Sequence, residues 1–300
     1  MSSTAKWVLG IVAGLLAFGA ILVFLVVLTF MGDRDFDDST STSGEKVAVV
    51  DLKEPIMSSE ETVRQFKKYR ENKSVKAIVF RVESPGGGVS ASQEIYEEVR
   101  KTRESGKPVV VSMGSVAASG GYYVSCGASR IVANPGTLTG SIGVIFQYLH
   151  AEELLAKLGI DAATYKTGRL KDAGSPFRKP SAEDKKFFDQ LLGDVYDQFV
   201  DVVAHERKLD RKVVLKYADG RVFTGRQALE WGFVDTLGTY ENAVTIAARL
   251  GGIDGTPKLI KERKRRSFWE QFWTEAAGDL KGIRDELFRQ PIVQYKMNLP

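Results

Sequence analysis

Two glycine-rich corners, each following an apolar run, hold the residue types from which an acyl-transfer site is built. SPGGG occupies residues 84–88 and SVAASGG residues 115–121. Glycines placed just after a strand let the backbone turn sharply and aim its N–H groups at a ligand. Such donors can cradle a phosphate or hold the oxyanion of a tetrahedral acyl intermediate. The chain has no GxxxxGK[ST] motif, and SPGGG lacks the spacing of a dinucleotide fingerprint, which argues against a nucleotide. Ser119 stands in the second corner between Ala117, Ala118 and Gly120, Gly121. That setting exposes a hydroxyl at a helix start with room for a substrate backbone. It equally suits a serine that only caps a helix. Ser115, Ser125 and Ser129 compete with Ser119 but have less glycine around them.

A nucleophilic serine needs a base. The two histidines are His150, after an apolar run, and His205, near the end of a long helical pattern; neither is a persuasive partner. The base left by the inventory is a lysine whose neutral amine is populated by desolvation and hydroxyl neighbours. The polar stretch before the long helix offers Lys166 and Lys171, and composition does not choose between them. Cys126 is the only cysteine, which excludes an internal disulfide and a multi-cysteine metal site, and the widely separated histidines give zinc no pair. The pattern calls for no metal and no cofactor.

The elements that must position these residues alternate in type. VAVVDL (47–52), AIVFRV (77–82) and PVVVSM (108–113) read as strands with near-continuous apolar cores. Ser58 with Glu61 forms a capping box before a helix to about Asn72, and Ile95, Tyr96 and Val99 share one face of a second helix. Strands separated by helices predict parallel α/β units covered on both faces. RIVAN (130–134) and IGVIFQYL (142–149) read as further strands, followed by a helix from Glu152 to Leu158. Residues 160–180 are turn-rich and long for a plain connector. From Ser181 to Leu209 the 3-4 spacing of Phe188, Leu191, Leu192, Val195, Phe199, Val202 and Val203 predicts a long helix.

The ends differ from the middle. Residues 1–7 precede a span of about 24 uncharged residues, 8–31, longer than the ~20 a bilayer requires. No small-x-small cleavage site follows it, so it reads as an uncleaved transmembrane helix rather than a cleaved signal. Lys6 lies before the span, while residues 33–38 carry four aspartates against Arg34, which places the short end inside and the main domain outside. Residues 32–45 read as a flexible linker, 46–255 as the α/β domain and 256–300 as a basic, aromatic tail. In that tail Phe268, Trp269, Phe272 and Trp273 share a helical stripe beside a run of lysines and arginines, which suits an anionic bilayer surface or a subunit contact. The last stretch, PIVQYKMNLP, is apolar enough to add a strand or lie in a groove. Hydrophobic residues at 43% and charged residues at 27% of 300 are ordinary for a globular chain, and a net charge of +4 gives no argument for nucleic acid.

Taken together, RVESPGGGVSAS, VSMGSVAASGGYYVS, ANPGTLTGSIGV, GRLKDAGSPFRKP and DGRVFTGRQALEWGFVDTLG resemble the SppA family of signal peptide peptidases in its short, single-repeat form, from about Val47 to Leu250. The resemblance implies a Clp-protease/crotonase-like fold of repeated β-β-α units and a serine peptidase with a Ser-Lys dyad. It makes Ser119 the nucleophile and Lys171, rather than Lys166, the general base; 52 residues apart, they meet only through the fold. It makes Ser141 in TGSIG the hydroxyl that orients the amine, and the N–H groups of Gly87 and Gly120 the oxyanion donors. Implied substrates are apolar signal-peptide remnants or membrane-protein segments, with an apolar groove beside Ser119; Tyr122, Tyr123 and Val89 fit either its wall or the core. Also implied are a ring-like homo-oligomer with sites shared between subunits, and a place in the bacterial cytoplasmic membrane with the catalytic domain on the periplasmic side. Glu83, where acyl-transfer relatives often carry Asp or Asn, departs from the pattern.

Overall fold

A computed structural model describes residues 45–262 and 294–296, together with residues 7, 14 and 18–21. Met1–Ser43 and Gly44–Pro300 form separate compact units. In the first, the described residues are helical; most of the expected span at 8–31 and of the linker lies outside the described residues, as does the aromatic stripe of the tail. Among the described residues no helix is long and apolar enough to cross a membrane.

The second unit is built on one mixed sheet. Strands β1 (Lys46–Lys53), β2 (Val75–Ser84) and β4 (Val109–Ala118) run parallel side by side, with β3 (Gly86–Gly88) branching off after β2. The far edge of β4 is shared: β5 (Arg130–Ala133) pairs with its beginning and β6 (Leu138–Gly140) with its end, both parallel. β7 (Val222–Thr224) runs antiparallel to β6, β8 (Thr236–Leu237) parallel to β5, and β9 (Lys258–Lys261) parallel to β1 on the other side. The sheet therefore continues past residue 255. A separate two-stranded ribbon pairs β3 with β10 (Gln294–Lys296), antiparallel.

Alternation along the strands divides the core between two faces. Val47 and Val49 of β1 join Ala77, Val79 and Val110 under α8 (Tyr240–Leu250), which contributes Ala243, Val244 and Ala247. Ala48 and Val50 point the other way into the larger cluster, with Ile78, Phe80 and Val111. That face is covered by α1 (Glu60–Glu71), α2 (Val89–Glu104), α3 (Gly120–Cys126) and the end of α5 (Ala182–Arg207). Short helices α4 (Glu152–Lys157), α6 (Arg211–Leu215) and α7 (Gly225–Glu230) fill the connections. The mixed α/β architecture with both sheet faces covered is the one the strand–helix alternation predicts.

Three local expectations fail. Ser59, not Ser58, caps α1, and no side-chain cap forms; Glu61 turns to Arg64 and Gln65 instead. Residues 142–149 do not form a strand. The strand ends at Gly140, because Ser141 takes φ 49° and turns the chain once its N–H has made the last bond toward β7, to Arg221 O at 2.8 Å. The stripe of α5 is also buried only in part: Phe199 and Val203 reach the core with Val200, whereas Phe188, Leu191, Leu192 and Val195 remain half-buried. Phe188 stacks on Phe146 at 4.6 Å between ring centroids.

Tyr122 ties α3, the helix that begins after Ser119, to the far side of the core: its hydroxyl donates to Phe233 O at 2.9 Å, and the ring is fully buried. Burial pushes this phenol well above its ordinary pKa, so it stays a donor throughout the accessible range. Tyr122→Phe strands a buried carbonyl and is expected to cost about 1–3 kcal/mol in urea unfolding, with the slope of the transition unchanged.

Candidate active site

Strand register gathers the site. Ala117 pairs with Ser84 and Ala118 with Gly140, so the chain leaves β2, β4 and β6 at neighbouring points on the carboxyl end of the sheet. Ser119 follows β4, Ser141 follows β6, and the triple glycine of β3 follows β2. The Ser119 N–H donates to Gly140 O at 2.7 Å, which locks the two corners together. Ser119 has φ 53° and ψ −117°, and Ser141 has φ 49°. Neither serine gains from glycine's freedom there, and each such backbone stores about 1–3 kcal/mol, a cost characteristic of functional corners. The strain at Ser119 turns a strand into a helix within one residue.

β4 reaches that corner by a detour. Between the pairs Val82–Met113 and Ser84–Ala117 the register slips, leaving extra residues on β4. The carboxylate of Glu83 accepts the freed N–H groups of Ser115, at 2.9 and 3.0 Å, and of Val116, at 3.3 Å. A Cβ at Gly114 would lie 1.6 Å from Glu83 Oε2, so any side chain there would push the carboxylate out of this position. Glu83 thus shapes the strand that carries Ser119.

The glycines fit closely. A Cβ at Gly87 would meet Ile56 O at 2.2 Å, and one at Gly120 would meet Ser92 Oγ at 2.6 Å and Gly87 N at 3.2 Å. Gly120 therefore lies directly against the backbone of Gly87. Ile56 N donates to Gly86 O and Gly88 N to Ile56 O, both at 2.8 Å, which occupies one edge of β3. Because backbone groups alternate along a strand, the N–H of Gly87 faces the other edge. Ser92, buried and donating to Gly88 O at 2.8 Å, underpins both corners. Sequence reasoning passed it over, although its place one helical turn after Gly88 marks it.

Ser119 Oγ is fully buried and has no hydrogen-bond partner among the described residues. His150 sits 3.6 Å from Glu152, and His205 is exposed on α5, so neither histidine serves Ser119. Lys166 is engaged with Arg169 O and Asp172, at 2.9 and 2.5 Å. Lys171 is exposed on the loop before α5, and its side chain has no hydrogen-bond or ion-pair partner among the described residues. Ser119, Ser141, Gly87 and Gly120 come together in one chain; Lys171 is not hydrogen-bonded to any of them.

The description "Peptidase family S49" matches residues 101–254, and "Clp protease" matches residues 43–136. The chain belongs to peptidase family S49. It is similar to "Putative signal peptide peptidase SppA" of Enterococcus faecium, 46% identical over 180 residues, which are 60% of this chain and 52% of that one. It is likewise similar to "Putative protease slr0021" of Synechocystis, 44% identical over 216 residues, 72% of this chain and 77% of the other. "Protease 4" of Salmonella typhi is 40% identical over 217 residues, 69% of this chain and 35% of the longer relative. The matched region thus spans about half the length of the first of these relatives. These matches set the chain among SppA-type relatives of family S49, and the Clp match agrees with its sheet.

In this S49 peptidase Tyr122 and Tyr123 are core rather than groove: Tyr123 packs its ring edgewise on Tyr96 and Phe199. An apolar space does open beside Ser141, a cavity of about 640 Å³ walled by Val144, Ile145, Leu192, Tyr196 and Val222. The free edge of β3 is taken by the peptidase's own chain: Gln294, Tyr295 and Lys296 pair antiparallel with Gly88, Gly87 and Gly86. This is the added strand the final apolar stretch predicts, lying on the edge that the Gly87 N–H faces. If peptide substrates use this edge, a chain ending after residue 290 shows a lower KM for extended peptides with kcat unchanged in steady-state kinetics.

Proposed function

We propose that this S49 peptidase cleaves apolar, extended peptides with a Ser-Lys dyad whose lysine is delivered by a second copy of the chain. One observation carries the reading: the buried Ser119 hydroxyl has no partner among the described residues of its own chain. A serine hydroxyl becomes a nucleophile only when a base takes its proton. Lys171, the matching lysine of LKDAGSP, is exposed and unengaged. Around it, Tyr165, Leu170 and Phe177 are exposed as well, an apolar surface that association between copies would cover. The half-buried stripe on the first half of α5 adds to that surface.

In the assembled site the neutral Lys171 amine takes the proton of Ser119 Oγ as the oxygen attacks the peptide carbonyl. The N–H groups of Gly87 and Gly120 hold the oxyanion, and Ser141 orients the amine. Collapse of the tetrahedral intermediate expels the leaving amine, which receives the proton from the lysine. Water, deprotonated by the same amine, then attacks the acyl-enzyme, and the ammonium returns that proton to Ser119 Oγ as the acyl group leaves. The substrate lies as a strand on β3, and the cavity beside Ser141 takes an apolar side chain. Residues 8–31 hold the peptidase in a membrane, residues 32–45 tether it, and its substrates are signal-peptide remnants or membrane-protein segments on the outer side.

Ser119→Ala and Lys171→Ala chains are each expected to be inactive on an apolar fluorogenic peptide. Co-assembled in equal amounts they restore about a quarter of the sites, the statistical share with an intact serine and an intact neighbouring lysine. Mixed assemblies verified by differential tags that stay inactive would exclude sharing; a Lys171→Ala chain with normal turnover would exclude the dyad. Separately, a chain lacking residues 1–44 leaves the membrane fraction on centrifugation while retaining peptidase activity.

A further inference from the structure

The loop that carries Lys171 is fastened by a charge cluster that the dyad chemistry does not account for. The guanidinium of Arg178 grips Asp172, the residue after Lys171, with two hydrogen bonds: Nε to Oδ2 at 2.9 Å and Nη2 to Oδ1 at 2.8 Å. The same guanidinium reaches Asp184 through Nη1 and, at 2.9 Å, through Nη2. Asp184 is 1% exposed and closes the capping box of α5 by accepting from the N–H and the hydroxyl of Ser181. Arg178 thus joins the turn at Lys171 to the start of the longest helix. The turn itself is tight: Ala173 N–H donates to Leu170 O at 3.1 Å and Ser175 N–H to Asp172 O at 3.0 Å.

The geometry points to Arg178 as the positioning residue of the catalytic lysine, fixing its loop to α5 and keeping the Asp172 carboxylate from holding the Lys171 ammonium. This rests on the reading of Lys171 as the base. A carboxylate on the adjacent residue is a natural partner for an ammonium and favours it over the free amine that the chemistry requires. Arg178 and Lys166 between them occupy both Asp172 oxygens. Hydrogen bonding from Arg178, then from Lys166, holds this carboxyl well below the usual carboxylate range, and Arg178, then Ser181, does the same for Asp184. The four charges cancel: two cations, Lys166 and Arg178, against two anions, Asp172 and Asp184. Other charged groups around the loop are paired as well. Arg169 meets Glu183 of α5 at 3.0 Å, Lys179 meets Glu153 of α4 at 2.8 Å, and Glu152 accepts the Lys179 N–H at 3.0 Å beside His150.

Charge and shape are separable here. Arg178→Gln removes a cation that cannot lose its proton and leaves Asp172 half free, whereas Arg178→Lys keeps the charge but loses the fork that spans two carboxylates. The test is the pH profile of kcat/KM of the full chain on an apolar fluorogenic peptide, with assembly checked by size-exclusion chromatography. For Arg178→Gln the acid limb is expected to move up by about one pH unit, so activity at neutral pH falls. Arg178→Lys leaves the limb in place and lowers kcat. In an Asp172→Asn background, Arg178→Gln no longer moves the limb, because no carboxylate remains to be released. This background also supplies the measurement if Arg178→Gln alone does not fold: an Asp172→Asn, Arg178→Gln chain whose limb lies above that of Asp172→Asn contradicts the proposal. An assembled Arg178→Gln chain with the unaltered profile and kcat overturns it as well. A Lys171→Ala chain that still turns over substrate shows instead that the dyad reading has failed.

Discussion

The hydrogen bond from the Ser119 N–H to Gly140 O holds the active corner in place, and it exists because β4 and β6 run parallel in one register. A shift of one residue in that pairing would turn alternate side chains to the wrong face and separate Ser119 from Ser141. The whole sheet order serves this alignment. β2 on one side and β6 on the other both end beside the last residues of β4, so three chain segments emerge together although they are far apart in sequence. The extra length of β4, held out by Glu83, brings its end level with its neighbours.

Close packing then converts alignment into chemistry. Gly120 can lie against the backbone of Gly86 and Gly87 only because it carries no Cβ, and Gly87 fits against Ile56 for the same reason. Burial of the apolar strand cores fixes the sheet, and the sheet offsets the strained backbones at Ser119 and Ser141. The lysine loop obeys a different physics. It is polar and exposed, and it is held by hydrogen-bonded charges rather than by apolar burial.

That contrast explains how much was legible in the sequence. The strands and the glycine corners could be read because apolar periodicity and glycine placement are local signals, and the β1, β2, β4 and β5 cores lie where the pattern puts them. Residues 142–149 misled because an apolar run reads as a strand whether or not the backbone can continue; the left-handed turn at Ser141 is invisible in composition. The α5 stripe overstated its burial for a related reason: periodicity reports which face is apolar, not what covers it. The Glu83 bulge and the Arg178 clamp were missed because both join residues through geometry that no local pattern announces. The proposed dyad was read only through resemblance, since spacing left Lys166 and Lys171 equal, and among the described residues it is Lys166 that is engaged.

A serine sealed from water and lacking any acceptor is chemically quiet. If its activator arrives on another molecule, a newly made, solitary chain cannot damage its surroundings, and catalytic power grows more steeply than in proportion to the amount of protein present. Diluting such a peptidase would switch it off without any inhibitor.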